Sequence, residues 1–236
     1  MQTRSQRPAN TEAPPALCVQ FAFFAVDRQW RQLPEEERHQ ARCAFAEAVR
    51  SDSPAVETVG YSTLGLRPEA AFFLYRTASA VEPLQESLSH LLCTKLGGHL
   101  ELRDVLFGLV RPSVYARRPT SQEQAIGSGA SAKYLVVYPF TKTTEWYLLS
   151  QETRQGMMNE HIRIGRSYPS IRQLLAYSAG LADQEFIVAY ETDRLDEFQD
   201  LVTALRATEA RRYTLRDTPI FTGVHRSLEE TLALLG

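Results

Sequence analysis

The stretch Glu145-Trp146-Tyr147-Leu148-Leu149 is similar to Gln29-Trp30-Arg31-Gln32-Leu33, which lies earlier in the same chain. The two tryptophans are 116 residues apart, and Tyr177 has the same separation from Tyr61 without an intervening gap. A constant internal separation indicates a duplicated unit, and a unit of about 115 residues has the size of a small domain. The sequence therefore predicts two related domains.

Each copy contains the same order of predicted elements, strand-helix-strand-strand-helix-strand. Short apolar runs rich in aromatic and branched residues indicate the strands, and Pro34 followed by three glutamates indicates a helix start. The first copy is predicted to have strands 19–25, 56–64, 70–76 and 101–110 and helices 34–50 and 82–96. The second is predicted to have strands 134–140, 171–178, 185–191 and 220–224 and helices 150–164 and 195–210.

This order is typical of the ferredoxin-like (βαββαβ) domain. Each antiparallel sheet has helices on one face, so the two tethered copies can cover each other's other face. The expected fold is α+β, with two tandem ferredoxin-like domains forming a dimeric α+β barrel within one chain. We expect a disordered tail (1–15), an N-terminal domain (16–118), a linker loop (119–132) and a C-terminal domain (133–236).

The bulk composition narrows the class of protein. The chain is 44% hydrophobic, which is enough for a full core, and its net charge of −2 argues against nucleic acid or an anionic membrane as partner. No apolar run approaches the roughly 18 residues of a membrane span. Cys18, Cys43 and Cys93 lack metal-site or disulfide spacing, so we expect a cytoplasmic protein.

One histidine distinguishes the second copy from the first. His161 lies near the end of the helix predicted over 150–164, and its counterpart at the same separation is Phe45, which cannot bind a metal. A histidine at a helix end can simply interact with the last carbonyls. The neighbouring Met157 and Met158 offer a soft lining, however, so a single imidazole ligand to a haem iron is credible.

The motifs of the second half resemble those of a known family. They are Tyr138-Pro139-Phe140-Thr141-Lys142, Glu145-Trp146-Tyr147, Glu160-His161, Tyr177-Ser178-Ala179-Gly180-Leu181-Ala182-Asp183, Leu205-Arg206 and Phe221-Thr222-Gly223. Together they resemble the chlorite dismutase family, which includes the peroxide-dependent coproheme decarboxylases. The resemblance implies an iron porphyrin, haem b or iron coproporphyrin III, in the second domain, with His161 as proximal iron ligand. It also implies a homo-oligomer, commonly a pentamer.

The residue on the distal side of the iron separates the subgroups of that family. Chlorite dismutases carry an arginine seven residues before the glycine that corresponds to Gly180, and here that position is Gln173. A neutral amide resembles one coproheme decarboxylase group and offers no charge to an anion. The segment from His161 to Gly180 is one residue shorter than the family pattern, so Leu174 or Arg172 could take the place instead, with Gln173 or Leu174 favoured over Arg172.

Other candidate residues are also assigned by the resemblance. Tyr138 and Lys142 match a Tyr-Pro-x-x-Lys motif in which the tyrosine forms a radical and the lysine binds a propionate. Arg206 and Tyr115 are expected to contact carboxylates, and Glu209 to accept a hydrogen bond from the second ring nitrogen of the proximal histidine. Each could also be ordinary surface structure. Trp146 recurs as Trp30, which favours packing, and it is also a candidate contact to the porphyrin.

Three functions remain open at this point. The first is peroxide-dependent oxidative decarboxylation of iron coproporphyrin III to haem b, with hydrogen peroxide as the second substrate. The second is a haem b enzyme that splits chlorite into chloride and dioxygen. The third is a non-catalytic haem-binding protein on the same scaffold.

Overall fold

The computed structural model of the protein describes residues 17–52, 54–113, 115 and 131–236. The predicted tail (1–15) lies outside these residues, as does the predicted linker (119–132) apart from its last two positions. Among the described residues, none of the helices has both the length and the apolarity that a membrane crossing requires.

The first half forms four strands and two long helices. In chain order they are β1 (Leu17–Val26), α1 (Glu35–Ser51), β2 (Glu57–Ser62), β3 (Phe72–Ala78), α2 (Val81–Cys93) and β4 (Leu100–Val110). Helix α1 follows Pro34 and has Glu35, Glu36 and Glu37 in its first turn, where negative charge favours the helix dipole.

The second half repeats this order and adds three short elements. In chain order it comprises β5 (Tyr134–Lys142), α3 (Thr144–Leu148), α4 (Gln151–Gly165), β6 (Arg172–Tyr177), β7 (Phe186–Thr192), α5 (Leu195–Arg206), β8 (Thr214–Arg216), β9 (Phe221–His225) and α6 (Leu228–Ala233). The sequence patterns did not predict α3, β8 and α6. Helix α4 has Ser150 as its N-cap, and the hydroxyl of that serine accepts a hydrogen bond from the backbone N–H of Thr153.

The strands of both halves form one antiparallel sheet that closes on itself. Within the described residues the order is β7-β6-β4-β1-β3-β2-β9-β5-β8, and β5 also pairs with β7. The halves are joined where β2 pairs with β9 and where β4 pairs with β6. The predicted α+β barrel is therefore confirmed. Its interior is filled by apolar side chains from both halves, including Phe21, Phe73, Leu135 and Ile187.

The helices of the first half pack tightly on the outer face of its strands. Trp30, Phe45 and Phe72 are each fully buried in this layer. Helix α6 joins it, since Leu232 is buried in the same cluster and the Trp30 indole Nε1 donates to the backbone oxygen of Gly236 at 3.1 Å. The C-terminal segment of the predicted 133–236 domain thus packs on the first half, and the domain division itself stays a prediction.

The helix layer of the second half is built differently. Helix α4 has no fully buried residue, although it covers the same outer face of the sheet that α1 covers in the first half. The residues that do become buried there, such as Tyr190, Phe198 and Leu201, belong to β7 and α5. A space therefore remains between α4 and the strands.

Candidate active site

The space beneath α4 is a cavity of about 260 Å³ between the sheet and the helices of the second half. Alternate residues of β7, namely Phe186, Val188 and Tyr190, form its floor because side chains two positions apart in a strand point to the same face. Tyr138 and Phe140 of β5 extend that floor. The floor is thus largely aromatic and flat, which suits a planar apolar ligand.

His161 lies on the wall that α4 contributes. Burial, together with the positive charge of Lys142, lowers the pKa of His161 from 6.5 to about 4, so the ring is neutral at physiological pH. Its Nδ1 is buried and has no hydrogen-bond partner among the described residues. A neutral imidazole in an apolar cavity is the form of histidine that binds a metal ion.

The surroundings of His161 fit an iron porphyrin. Met158, one turn before the histidine on α4, lines the same cavity and supplies a polarizable apolar surface. No group of three or more His, Cys, Asp or Glu side chains that could hold a bare metal ion occurs within the described ranges. Iron carried by a porphyrin needs only one protein ligand, and a single histidine is sufficient for it.

Strand β6 determines which of the three distal candidates faces the cavity. Gln173 lines the cavity and pairs across the strands with Tyr190, whose side chain lies on the same face. Leu174 points to the opposite face, where it is buried with Ala189 in the barrel interior, although it also borders a second compartment of the cavity. The register of β6 therefore directs Gln173 toward the space in front of His161.

Arg172 is held away from the cavity by an ion pair. Its guanidinium lies 2.6 Å from the Glu191 carboxylate, whose side chain is fully buried. Burial raises the pKa of Glu191, while the charge of Arg172 and hydrogen bonds from the backbone N–H of Ala132 and from the Tyr61 hydroxyl oppose that rise. Arg172 is not among the described residues that line the cavity, so the structure does not bring this candidate to the site.

Tyr138 is one of the phenols that line the cavity. Burial raises its pKa well above the usual value, and the neighbouring Tyr190 adds to the effect. The two rings are stacked, with centroids 6.2 Å apart. Tyr138 therefore keeps its hydroxyl proton at neutral pH, and any oxidation of this phenol must be accompanied by loss of that proton.

Lys142 lies at the end of β5 and lines the cavity. Its Nζ is 4.1 Å from the ring centroid of Trp146, a cation–π contact that holds the ammonium over the indole. The pKa of Lys142 is lowered from 10.5 to about 8, chiefly by burial; the charge of Glu185 opposes this shift and the charge of Arg211 adds to it. An anionic ligand beside Nζ would favour the charged form.

Three further candidates line the same cavity. Tyr115 meets Trp146 edge-on, with ring centroids 6.4 Å apart, and the Gln155 side chain donates to the backbone oxygen of Tyr115 at 3.1 Å. Trp146 is 3% exposed, so it both packs in the core, as Trp30 does, and forms part of the cavity wall. Arg206, at the end of α5, completes the group.

Glu209 makes no hydrogen bond to His161 in this structure. The helix predicted to run to residue 210 ends at Arg206, because Thr208 turns its hydroxyl to the backbone oxygen of Leu205 at 2.7 Å. Glu209 then begins a short 3₁₀ helix, and its carboxylate lies 3.3 Å from Arg212 Nε. The expected hydrogen bond to the histidine ring is absent from the described part of the chain.

Sequence reasoning missed several residues of the cavity wall. Tyr190 could have been found, because it alternates with Phe186 and Val188 in a strand that was predicted. Arg154 of α4 also lines the cavity, as do Arg211 and Asp217, which form an ion pair at 2.5 Å. No periodic pattern marks these polar residues, since Arg211 lies in the short 3₁₀ helix that begins at Glu209 and Asp217 lies in the loop after β8.

Comparisons with known proteins agree with this architecture. Residues 38–226 match the family model described as chlorite dismutase. The chain is 35% identical over 180 residues to the coproheme decarboxylase of Mycolicibacterium smegmatis, which covers 74% of this chain and 75% of the relative. It is 22% identical over 229 residues to the chlorite dismutase of Ideonella dechloratans, covering 94% of this chain and 80% of the relative.

A solved structure has the same fold along nearly the whole chain. It is a chlorite dismutase from Candidatus Nitrospira defluvii in which a tryptophan is replaced by tyrosine and an arginine by glutamine. It superimposes with a TM-score of 0.85 at 32% identity and covers 93% of this chain and 95% of that one. With the family model matching most of the sequence, the chain belongs to the chlorite dismutase family.

Proposed function

We propose that the protein catalyses the peroxide-dependent oxidative decarboxylation of iron coproporphyrin III to haem b. The observation that carries this proposal is the grouping of Tyr138, Lys142 and Gln173 around the cavity that His161 lines. The 35% identity to the coproheme decarboxylase of Mycolicibacterium smegmatis supports the same reaction.

Only a few side chains would be needed to bind the iron porphyrin. His161 would ligate the iron through its neutral imidazole, and the aromatic floor would lie against the macrocycle. Lys142 and Arg206, both at the cavity wall, would pair with carboxylates of the porphyrin. A homo-oligomer, the expected pentamer, belongs to this proposal but is not required by the geometry of the cavity.

Bound iron porphyrin would supply the peroxide-derived oxidising power. Tyr138 would lose an electron and its hydroxyl proton and then take up hydrogen from the propionate side chain. Each propionate that becomes a vinyl group loses carbon dioxide, one proton and two electrons, and peroxide accepts the electrons as it is reduced to water. The protein's contribution is to hold the phenol and the propionate together.

The distal side favours this reaction over chlorite dismutation. Gln173 faces the cavity, whereas the guanidinium of Arg172 is paired with Glu191 on the other face of the strand. A neutral amide can donate a hydrogen bond to neutral peroxide but gives no charge to hold chlorite over the iron.

The test is to incubate purified protein with iron coproporphyrin III and hydrogen peroxide and to follow the porphyrin by mass spectrometry. We expect successive loss of two carboxyl groups and accumulation of haem b. An oxygen electrode with chlorite provides the opposing measurement. Unchanged iron coproporphyrin III together with sustained dioxygen release from chlorite would reject the decarboxylase and favour chlorite dismutation. If neither haem b nor dioxygen forms, the protein is better explained as a non-catalytic haem-binding protein.

A further inference from the structure

Two of the chain's three methionines, Met157 and Met158, are neighbours on α4. Met158 is three residues before His161, a spacing that places both side chains on one face of a helix. The cavity has two compartments, of about 260 and 400 Å³, and Met158 lines both of them. Met157 is half-buried like its neighbour but is not among the described residues that line either compartment. The pair therefore offers one thioether at the cavity and a matched one outside it.

Met158 borders the part of the cavity where the two substrates of the proposed reaction must meet. His161 and Gln173 also line both compartments, so the compartments join in front of the histidine. Leu175 and Leu205 line both as well and make the shared wall largely apolar. Peroxide that enters the cavity before a porphyrin does would reach Met158 in this shared space.

Hydrogen peroxide converts a thioether to a sulfoxide by transferring one oxygen atom. The O–O bond of the peroxide breaks, an S=O bond forms, and the second oxygen leaves as water with both hydrogens. The sulfur loses two electrons and the peroxide gains them, so the step needs no other reactant. The product is a polar, chiral side chain in place of a flexible apolar one, and methionine sulfoxide reductases reverse the change.

We propose that Met158 is a modification site through which hydrogen peroxide controls loading of the porphyrin. The inference rests on the proposed function, which makes peroxide and iron coproporphyrin III the two substrates. A porphyrin that fills the cavity would cover a sulfoxide at this position, and covering a polar oxygen within an apolar wall costs binding free energy. Excess peroxide would thus close the empty site, and reduction of the sulfoxide would reopen it.

The test compares the porphyrin affinity of the apoprotein before and after oxidation. Native apoprotein is treated with hydrogen peroxide, catalase removes the excess, and iron coproporphyrin III is titrated by its Soret band. Peptide mass spectrometry should find one added oxygen on Met158, and the Kd should rise about tenfold, equivalent to about 1.4 kcal/mol. Methionine sulfoxide reductases specific for each of the two sulfoxide epimers should restore the original Kd.

Two leucine variants separate Met158 from the other oxidisable side chains. Met158→Leu retains Met157 and all three cysteines, so its Kd after peroxide should equal its own Kd before treatment. Met157→Leu is the matched control and should lose affinity on treatment as the native protein does. A loss that persists in Met158→Leu would overturn the inference. So would a native protein that carries the sulfoxide at position 158 with an unchanged Kd, or one that forms no sulfoxide there.

The inference and the proposed function fail in different ways, because the titration requires no turnover. Native protein whose affinity depends on the oxidation state of Met158 but which never decarboxylates iron coproporphyrin III would reject only the function. Native protein that produces haem b, and that binds the porphyrin equally well with the thioether and the sulfoxide, would reject only the inference.

Discussion

The two halves of the barrel place different side chains at corresponding positions of the same fold. In the first half Phe24 and Phe72 pair across β1 and β3, their rings stack with centroids 5.1 Å apart, and they fill the space beneath the helices. In the second half the corresponding strand pair is Tyr138 and Val188, and there the space is open.

The helices differ in the same way. Phe45 on α1 is fully buried, and its counterpart at the 116-residue separation is His161 on α4, a helix without any fully buried residue. The first half thus gains stability from packing, while the second leaves apolar surface to be covered by a ligand. A bound ligand would restore that stability, because binding to the folded state alone stabilises it.

The largest difference between the halves is expected in stability. Phe45→Ala removes a ring from a filled layer and should lower the free energy of unfolding by about 3–5 kcal/mol. His161→Ala in the apoprotein should cost less than about 1 kcal/mol, because the side chain already borders a cavity. Chemical denaturation of both variants measures this, and equal losses would mean that the cavity beneath α4 is not open in solution.

A second difference concerns the chemistry of the floor. Tyr138→Phe gives the second half the residue type of Phe24 and should preserve binding of iron coproporphyrin III while stopping release of carbon dioxide. Lys142→Ala should be milder, because Arg206 and Tyr115 remain and a hydrogen bond to a charged group contributes only about 1.5–3 kcal/mol. Decarboxylation rates of the two variants, followed by the mass of the porphyrin product, show which substitution is the more damaging. Native-rate conversion by the phenylalanine variant would exclude a radical at Tyr138.

The smallest effect should appear in the pH dependence of binding. The pKa of Lys142 is lowered to about 8, so the charged form is lost as pH rises through that value. A carboxylate ligand prefers the charged form, and affinity for iron coproporphyrin III should therefore fall above about pH 8. The Lys142→Arg variant keeps its positive charge at this pH, so the fall in affinity above about pH 8 should disappear. A fall that persists in the arginine variant must come from another group.

Most of the fold was predictable because duplication and strand periodicity are properties of the sequence itself. The spacing between Trp30 and Trp146 and the alternating apolar runs indicated both domains and the barrel. The position of α6 was not predictable, since its Leu232 is buried by the first half, far away in sequence. Contacts of that kind depend on the closed sheet rather than on local pattern.

The candidate site was predictable in part. His161, Tyr138 and Lys142 were identified from motifs, and the structure places all three at one cavity, although their roles stay predictions. The choice between Gln173 and Arg172 depended on strand register, which a one-residue gap left open in the sequence. The role of Glu209 stays a prediction: its carboxylate pairs with Arg212 in this structure, and the sequence did not reveal the helix end at Arg206.

The central claim is that only the second half binds an iron porphyrin, through His161. Titration of native apoprotein with iron coproporphyrin III should give one porphyrin per chain and a Soret band typical of a single histidine ligand. His161→Phe, which introduces the residue type of Phe45, should lose that complex, while His225→Ala should retain it. An unchanged spectrum and affinity in His161→Phe, or two porphyrins per chain in the native protein, would contradict the claim.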